Sequence, residues 1–589
     1  MADKDVSMQL ETWLARFEGA LKSASGERVA ELFVEGGFWR DHAAFTWDLC
    51  TLEGAPAIAA MVDAVPDIAK ASDWRMVPGA ATTSTQGEIR FRTAFGHGRG
   101  FVRLQDGKCS TLLTVIEDIE GHEEARGRLR PKSPPTDASR PDKNWADLRR
   151  EEIETIGRET QPFVLIIGGG QGGLGLAARL RHLGVSALVV DRFGRSGDQW
   201  RARYHSLLLH DPIWYDHMPY IPFPETWPVF TPKDKLADWL EAYAKILELN
   251  VWSSTTCTKA NYDDAAGEWS VTVEREGETL TVRPKHLVIA TGNAGRVNIP
   301  SFAGRDLFQG RILHSSAYTD PAIFAGRKVA VIGSNNSAQD ICADLVRQGV
   351  DVTMIQRDST HIIRSESCIE FLLKPLYSEE ALENGISTDL ADLLSIATPL
   401  ALLPERYRPI MDEVARRDAD FYAGLEKAGF MHDFGEDGTG MPLKYLRRAS
   451  GYYIDVGAAE MIASGQIKLR SRVGVERIEA DRIILTDGTD VEADDIICAT
   501  GFGTMDQWAA DLISPEVAAN VGKVWGYGSG TEGDPGPWEG ELRNMWKPTA
   551  QEGLWFHGGN LSQARIYSRI LALQLKARQA GIDVQVYRP

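Results

Sequence analysis

The run GGGQGG at 168–173 sets Gly168, Gly170 and Gly173 at GxGxxG spacing, directly after the apolar run FVLII. In such a turn the first glycine allows the tight bend, the second lets a pyrophosphate approach the backbone, and the third lets the following helix pack on the strand. A helix begun there aims its positive end at the phosphates. Eighteen residues after Gly173 a second apolar run, ALVV, gives way to Asp191, placed to accept ribose hydroxyls. A glycine-rich turn of no function is the bland alternative; strand, turn, helix and terminal acid in register favour dinucleotide binding.

A second run of the same kind, RKVAVIGSNNSAQD, begins at Arg327. It keeps Gly333 but has Asn335 and Ala338 where glycines would stand, with Asn336 and Ser337 completing the turn. Asparagine is the non-glycine residue that best tolerates a left-handed backbone, which predicts that Asn335 adopts one. The strand VDVTMIQR ends at Arg357 instead of an acid. An arginine there can pair with a 2′-phosphate, which points to NADPH and leaves NADH open; a solvated surface charge is the alternative.

These motifs need strands and helices to hold them, and the chain has room. It has 589 residues, with 64 Lys+Arg against 83 Asp+Glu for a formal net charge of -19. At typical domain sizes it is a multi-domain chain. Its acidity argues against a nucleic-acid footprint, and its longest apolar stretch, near Leu393 to Leu403, falls short of a membrane span. Six cysteines without a CxxC pair exclude a disulfide framework, a cysteine-clustered metal site and a dithiol of the disulfide-reductase kind. With no signal peptide in MADKDVSMQLETW, the chain reads as cytoplasmic.

The pattern predicts an α/β protein with two Rossmann-like dinucleotide-binding domains, preceded by a small α+β cone. In residues 1–120, Leu10, Trp13, Leu14, Phe17 and Leu21 recur at helical spacing, and later runs such as GEIRFRTAFGHGRGFVRL and KCSTLLTVIEDIE read as strands of a curved antiparallel sheet. Residues 121–160, with Pro131, Pro134, Pro135 and Pro141 among crowded charges, read as a surface linker, and GHEE at 121–124 as solvated. Residues 161–296 form the first part of one nucleotide unit, 297–480 the second unit with a helical insertion, and 481–589 the return to the first. The insertion, 365 to 460, carries no nameable motif.

Between the two fingerprints, FQGRILHSSAY fits FxGxxxHxxxY at Phe308, Gly310, His314 and Tyr318. This resembles the identifying motif of the flavin-containing monooxygenases, and the resemblance covers about 161 to 589. Further matches are GDQW with Gln199 and Trp200, the ATG turns holding Thr291 and Thr500, and HGGN with Gly559 and Asn560. The resemblance implies FAD in the first unit and NADPH in the second. NADPH reduces FAD, O2 gives a C4a-(hydro)peroxyflavin, and one oxygen atom enters a small organic substrate. His314 and Tyr318 then lie between domains, where they help to position the nicotinamide; Asn560 and Gln563 cap or donate at the start of the last helix.

Where the family often has an active-site asparagine, this chain offers His210 and Asp211 within the aromatic segment 204–232. The substrate class therefore stays open among N- or S-oxygenation, Baeyer–Villiger insertion and decarboxylating oxidation of an arylpyruvate. A non-catalytic flavin redox sensor is the reading from another class. The opening 120 residues resemble an NTF2/SnoaL-type cone, with Asp41, His42 and Asp48 as candidate polar groups. A docking or dimer-stabilising module, hence a homodimer, is preferred there over a second catalytic site.

Overall fold

The structure, a computed structural model, describes residues 2–132, 143–293 and 295–589. Pro134, Pro135 and Pro141 of the expected linker lie outside the described residues.

The opening helix, Ala2–Lys22, buries the five residues that the helical spacing picked out, each at 2% exposure or less. They cover a six-stranded sheet in the order Leu49–Glu53, Phe33–His42, Lys108–Ile116, His97–Gln105, Gln86–Arg92, Ser72–Val77. The expected all-antiparallel pairing needs one correction: Phe33–His42 and Lys108–Ile116 run parallel. The chain leaves Phe33–His42 for the near edge, crosses through helix Gly54–Ala64 to the far edge, and returns strand by strand, so the last strand arrives alongside the first in the same direction. Stacked rings fill the space below the sheet, Trp13 on Phe17 at 4.7 Å and Trp74 on Phe91 at 4.1 Å.

The duplicated plan is present. The first unit is a parallel sheet in the order Leu554–Phe556, His286–Ile289, Val164–Ile167, Ala187–Val190, Val251–Trp252. The second repeats it as Arg311–His314, Asp495–Cys498, Lys328–Ile332, Asp351–Gln356, Lys468–Ser471. Each carries a three-stranded antiparallel meander, Thr255–Asp263 to Val282 in the first and Val475–Ile478 to Glu492 in the second. Strands buried on both faces explain the unbroken apolar runs VLII and KVAVI. The boundary expected at 480/481 is displaced, because it cuts the second meander in two. Strand Asp495–Cys498 also lies inside the second sheet, between Arg311–His314 and Lys328–Ile332, and only after it does the chain return to the first unit.

Helix Trp145–Thr155 ends the linker and is tied to the first unit through Arg149 on Asn250 and Leu249 and through Glu152 on Arg181. The insertion supplies helices Thr388–Ile396, Leu403–Arg417 and Gly440–Arg448. The last helix, Leu561–Gln579, packs along Gln171–His182, and the C-terminal tail reaches back to donate from Tyr587 N to Thr46 O on the N-terminal unit. Among the described residues no helix is long and apolar enough to cross a membrane.

Candidate functional site

At the first fingerprint the three glycines do three different jobs. Gly168 has φ +111°, and a Cβ there would strike the Ala290 carbonyl. A Cβ on Gly173 would strike the Gly168 carbonyl, so this glycine sets the close approach of helix and strand. Gly170 is extended, φ −78° and ψ −171°, and a Cβ built on it meets nothing nearer than Gln199 Nε2 at 3.5 Å. Its missing side chain keeps space open at the start of helix Gln171–His182. Asp191 accepts from the N–H groups of Gly169 and Phe193, so it holds the loop with part of its carboxylate.

Several buried polar atoms around this loop have no partner among the described residues: Gln199 Nε2, Trp200 Nε1 and Thr291 Oγ1. Buried polar groups are ordinarily hydrogen-bonded, so a cluster without partners beside an open cradle fits a polar ligand. The starts of two helices meet here. Gln171 Nε2 donates to Gly559 O at 3.4 Å, and a Cβ on Gly172 would lie 3.3 Å from the His557 ring. Two positive helix ends on one spot suit a pyrophosphate and an electron-rich ring. The residues present therefore fit FAD.

The second fingerprint repeats the turn with one correction. Gly333 takes the positive angle, φ +127°, while Asn335 is extended at φ −90°, ψ −169°. The left-handed conformation expected of Asn335 is absent because the middle position of this turn is extended in both units. Asn335 Oδ1 instead accepts from Thr360 Oγ1 at 3.0 Å, and Asn336 Oδ1 from Ile454 N at 3.3 Å. Ser337 is half-buried in the first turn of helix Asn336–Arg347. Arg357 lies just past strand Asp351–Gln356 with its side chain 79% exposed and 2.8 Å from Asp358. It is held by nothing that a phosphate could not replace.

The FxGxxxHxxxY residues turn out to be joints. Chain segments 295–298 and 499–502 cross between the units side by side, bridged at Val297 and Phe502, with Thr500 Oγ1 donating to Asn298 O at 2.6 Å. His314, 3% exposed, accepts from Ser316 N at Nδ1 (3.1 Å), which leaves Nε2 to donate to Gly501 O at 3.0 Å. Burial, with Arg203 nearby, lowers its pKa and keeps it neutral. Tyr318 is fully buried and donates to Asp344 Oδ2 at 2.8 Å on the helix after the second fingerprint. Both side chains have their bonds made within the joint, which suits the positioning role expected of His314 and Tyr318 over a catalytic one. Thr500, an expected cofactor contact, also bonds the crossing through its hydroxyl hydrogen.

His210 and Asp211 do come to the mouth between the units. His210 Nε2 lies 3.5 Å from Asp340 Oδ2, and Tyr204 also donates to Asp340. Burial alone would lower His210, but Asp340, with Asp211 and Asp455, outweighs it and raises the pKa. Desolvation pushes the Asp211 carboxyl up to about 6 against the pull of His210. Tyr215 and Tyr445, both feeling the Asp211 charge, close the other side. Asn560 and Gln563 form a capping box, as one of the two expectations had it, and they also face this site. Asn560 Nδ2 donates to Tyr215 Oη at 3.0 Å, Asn560 N to Tyr445 Oη at 3.2 Å, and Tyr445 Oη to Gln563 Oε1 at 2.5 Å. Asp340, Tyr215 and Tyr445 escaped sequence reasoning. Tyr445 sits on an insertion helix with no motif, and only the fold brings it beside Asn560.

The N-terminal candidates do not converge. Asp41 is spent on Phe45 N, Thr46 and Thr114 within its own sheet, and Asp48 caps Leu49 N. His42 faces Glu541 at 3.7 Å and the Tyr567 ring.

The pyridine nucleotide-disulphide oxidoreductase family matches residues 165–396. The six cysteines, however, are all buried and unpaired. Indole-3-pyruvate monooxygenase YUCCA1 of Oryza sativa subsp. japonica is 32% identical over 373 residues, covering 62% of this chain and 84% of the relative. The probable indole-3-pyruvate monooxygenase YUCCA4 of Arabidopsis thaliana is 31% identical, covering 58% and 77%. Among solved structures, cyclohexanone monooxygenase with bound epsilon-caprolactone shares the fold at TM-score 0.51 and 18% identity, covering 71% of this chain and 88% of its own. With both fingerprints, the FxGxxxHxxxY joint and relatives at this level of identity, the chain belongs to the flavin-containing monooxygenases, FAD- and NADPH-dependent enzymes that use O2.

Proposed function

We propose that the first unit holds FAD and the second NADPH, and that the substrate is a small carbonyl compound, foremost an arylpyruvate. The observation that carries the proposal is the cluster of unpartnered buried polar atoms and paired helix starts around Gly170, with Asp211, Tyr445 and Asn560 at one mouth. Bound FAD supplies hydride acceptance from NADPH and the activation of O2. Gly168, Gly170 and Gly173 hold the backbone close to the pyrophosphate, and the free lone pairs of Asp191 accept ribose hydroxyls. Arg357 takes the 2′-phosphate of NADPH, for which Asp358 is the competing ion partner among the described residues.

The carboxyl of Asp211, poised near neutrality, holds or releases a proton at its Oδ atoms while His210 and Asp340 set its charge balance. Asn560 orients the substrate carbonyl through its second amide hydrogen, and Tyr445, whose hydroxyl bridges Asn560 N and Gln563 Oε1, fixes Asn560 in place. The proline- and tryptophan-rich segment 204–232 shields the mouth from water. A carbonyl substrate is favoured because the names of the two relatives specify a 2-oxo acid. The N-terminal unit serves as an NTF2/SnoaL-like docking module, the enzyme works in the cytoplasm on a small molecule and O2, and two copies pair.

Turnover under air with indole-3-pyruvate, cyclohexanone and thioanisole, each with NADPH, tests the reading. The expected reaction joins arylpyruvate, O2, NADPH and a proton to give arylacetate, CO2, water and NADP+, with one CO2 per NADPH. Coupled turnover of thioanisole alone would overturn the carbonyl reading. Tight FAD without NADPH oxidation would favour a redox sensor.

A further inference from the structure

A cavity of about 300 Å³ lies where the N-terminal sheet meets the first nucleotide unit, and none of its walls comes from either fingerprint loop. Five arginines face it, Arg99, Arg126, Arg179, Arg565 and Arg569, against two carboxylates, Asp389 and Asp392. Arg565 is closed off by a two-pronged pair with Asp392, at 2.7 and 2.6 Å. Asp389 is shared between Arg99 and Arg569. Arg179 is the least satisfied. It is 5% exposed, sits 4.6 Å over the Tyr220 ring and bonds the Tyr220 hydroxyl, with Asp389 within electrostatic reach and Glu124 no nearer than 3.9 Å. Glu124, expected to be solvated, is instead 14% exposed and takes the Tyr220 hydroxyl, which leaves it less able to serve Arg179.

The Nε atoms of both Arg99 and Arg179 are buried with no partner among the described residues. Arg99 is also 5% exposed. A buried guanidinium with unmade bonds is costly, and an anionic oxygen is the group that matches its fork. The rest of the wall is of another kind: Val115, Leu393, Ile396, Ile566 and Ile570, with Pro219 and Pro222 at the rim. A bare phosphate would leave that surface wet, whereas an apolar body would cover it.

We infer that this cavity binds a small organic acid, a carboxylate with an apolar body, between the N-terminal unit and the first nucleotide unit. The carboxylate lies against Arg179 and Arg99, and the body lies on Leu393 and Ile566. The site is composite, since Arg99 comes from the N-terminal sheet, Arg179 from the helix after the first fingerprint and Ile566 from the last helix. The N-terminal unit thereby gains a ligand as well as a docking role.

Calorimetric titration of the full-length, flavin-loaded protein with 1-naphthylacetate tests this, with inorganic phosphate as the second titrant. Wild type is expected to bind the naphthyl acid, and phosphate at equal concentration to leave that binding unchanged. Arg179→Met should weaken binding at least about tenfold, as loss of a charge-assisted pair does. Ile566→Trp, a half-buried position that fills the cavity without removing an arginine, should abolish binding while flavin absorbance stays at the wild-type level. If Arg179→Met fails to fold, Ile566→Trp decides alone. No binding by wild type, unchanged binding in Ile566→Trp, or equal displacement by phosphate would overturn the inference.

Discussion

Replacing Glu541 by glutamine isolates what holds the N-terminal unit on the enzyme. Arg40 Nε and Nη2 grip the two oxygens of Glu541 at 2.5 and 2.6 Å, with both side chains 3% exposed, and Thr51 Oγ1 adds a third bond at 2.6 Å. Arg40 Nη1 also reaches the carbonyls of Ile396 and Thr398, at 2.6 and 3.2 Å. Glutamine keeps the shape and one acceptor but strands the arginine charge. Removing one partner of a buried pair costs about 3–5 kcal/mol, and the two surviving carbonyl bonds place Glu541→Gln at about 3 kcal/mol. Glu541→Ala, which also opens a cavity, belongs at about 5 kcal/mol. Arg40→Met combined with Glu541→Leu removes the charge with its partner, leaves the Ile396 and Thr398 carbonyls and the Thr51 hydroxyl to find other partners, and should cost about 1–3 kcal/mol, less than Glu541→Ala. A chain of several units has no single unfolding free energy, so the assay is amide hydrogen exchange in Phe33–His42 and Leu49–Glu53. At tenfold per 1.4 kcal/mol, Glu541→Gln should speed exchange there by about 10²-fold while Val164–Ile167 keeps its protection. Exchange within about threefold of wild type, or a double variant as damaged as Glu541→Ala, would refute the argument.

Gly170→Val should yield colourless protein, because the side chain fills the opening beside Gln199; a yellow variant with normal flavin content would contradict the FAD placement. Arg357→Ala should raise KM for NADPH about tenfold or more and leave NADH nearly unchanged, and equal effects on both would sink the phosphate contact. Asp211 is raised to about 6, so carbonyl turnover should rise with pH through that region as the carboxylate forms, the midpoint belonging to Asp211 together with the buried Asp216 carboxyl and His210. Asp211→Asn should flatten the limb, and an unchanged profile would place the titration elsewhere. Tyr318→Phe removes the bond of that hydroxyl to Asp344 and leaves the buried carboxylate short of a donor, costing about 1–3 kcal/mol of stability with kcat kept within about twofold. A loss of kcat near a hundredfold would restore a catalytic role.

What could be read from the chain was whatever is local. Both fingerprints, their strands and the helical face Leu10 to Leu21 depend on neighbours within about 30 residues, and each stands where the spacing put it. Asn335 shows how a correct motif can carry a wrong reason. The middle position of the turn is extended in both units, so glycine there serves space, and asparagine is admitted for its bond to Thr360 and not for its backbone tolerance. The displaced boundary has the same origin. A meander is a local pattern, but which sheet the following strand joins is decided by pairing with Lys328–Ile332, more than 150 residues earlier in the chain, and no periodicity reports that. Tyr445 and Asp340 lie at the far end of this scale. One is on an unremarkable insertion helix and the other on a fingerprint helix, and each acquires chemistry only from what it faces, Asn560 and His210. In a duplicated dinucleotide fold the cofactor sites are therefore written twice and legibly. The substrate site proposed above would be assembled once, at the seam between copies, from residues that no local pattern marks, and that is why the family could be recognised from motifs while the substrate could not.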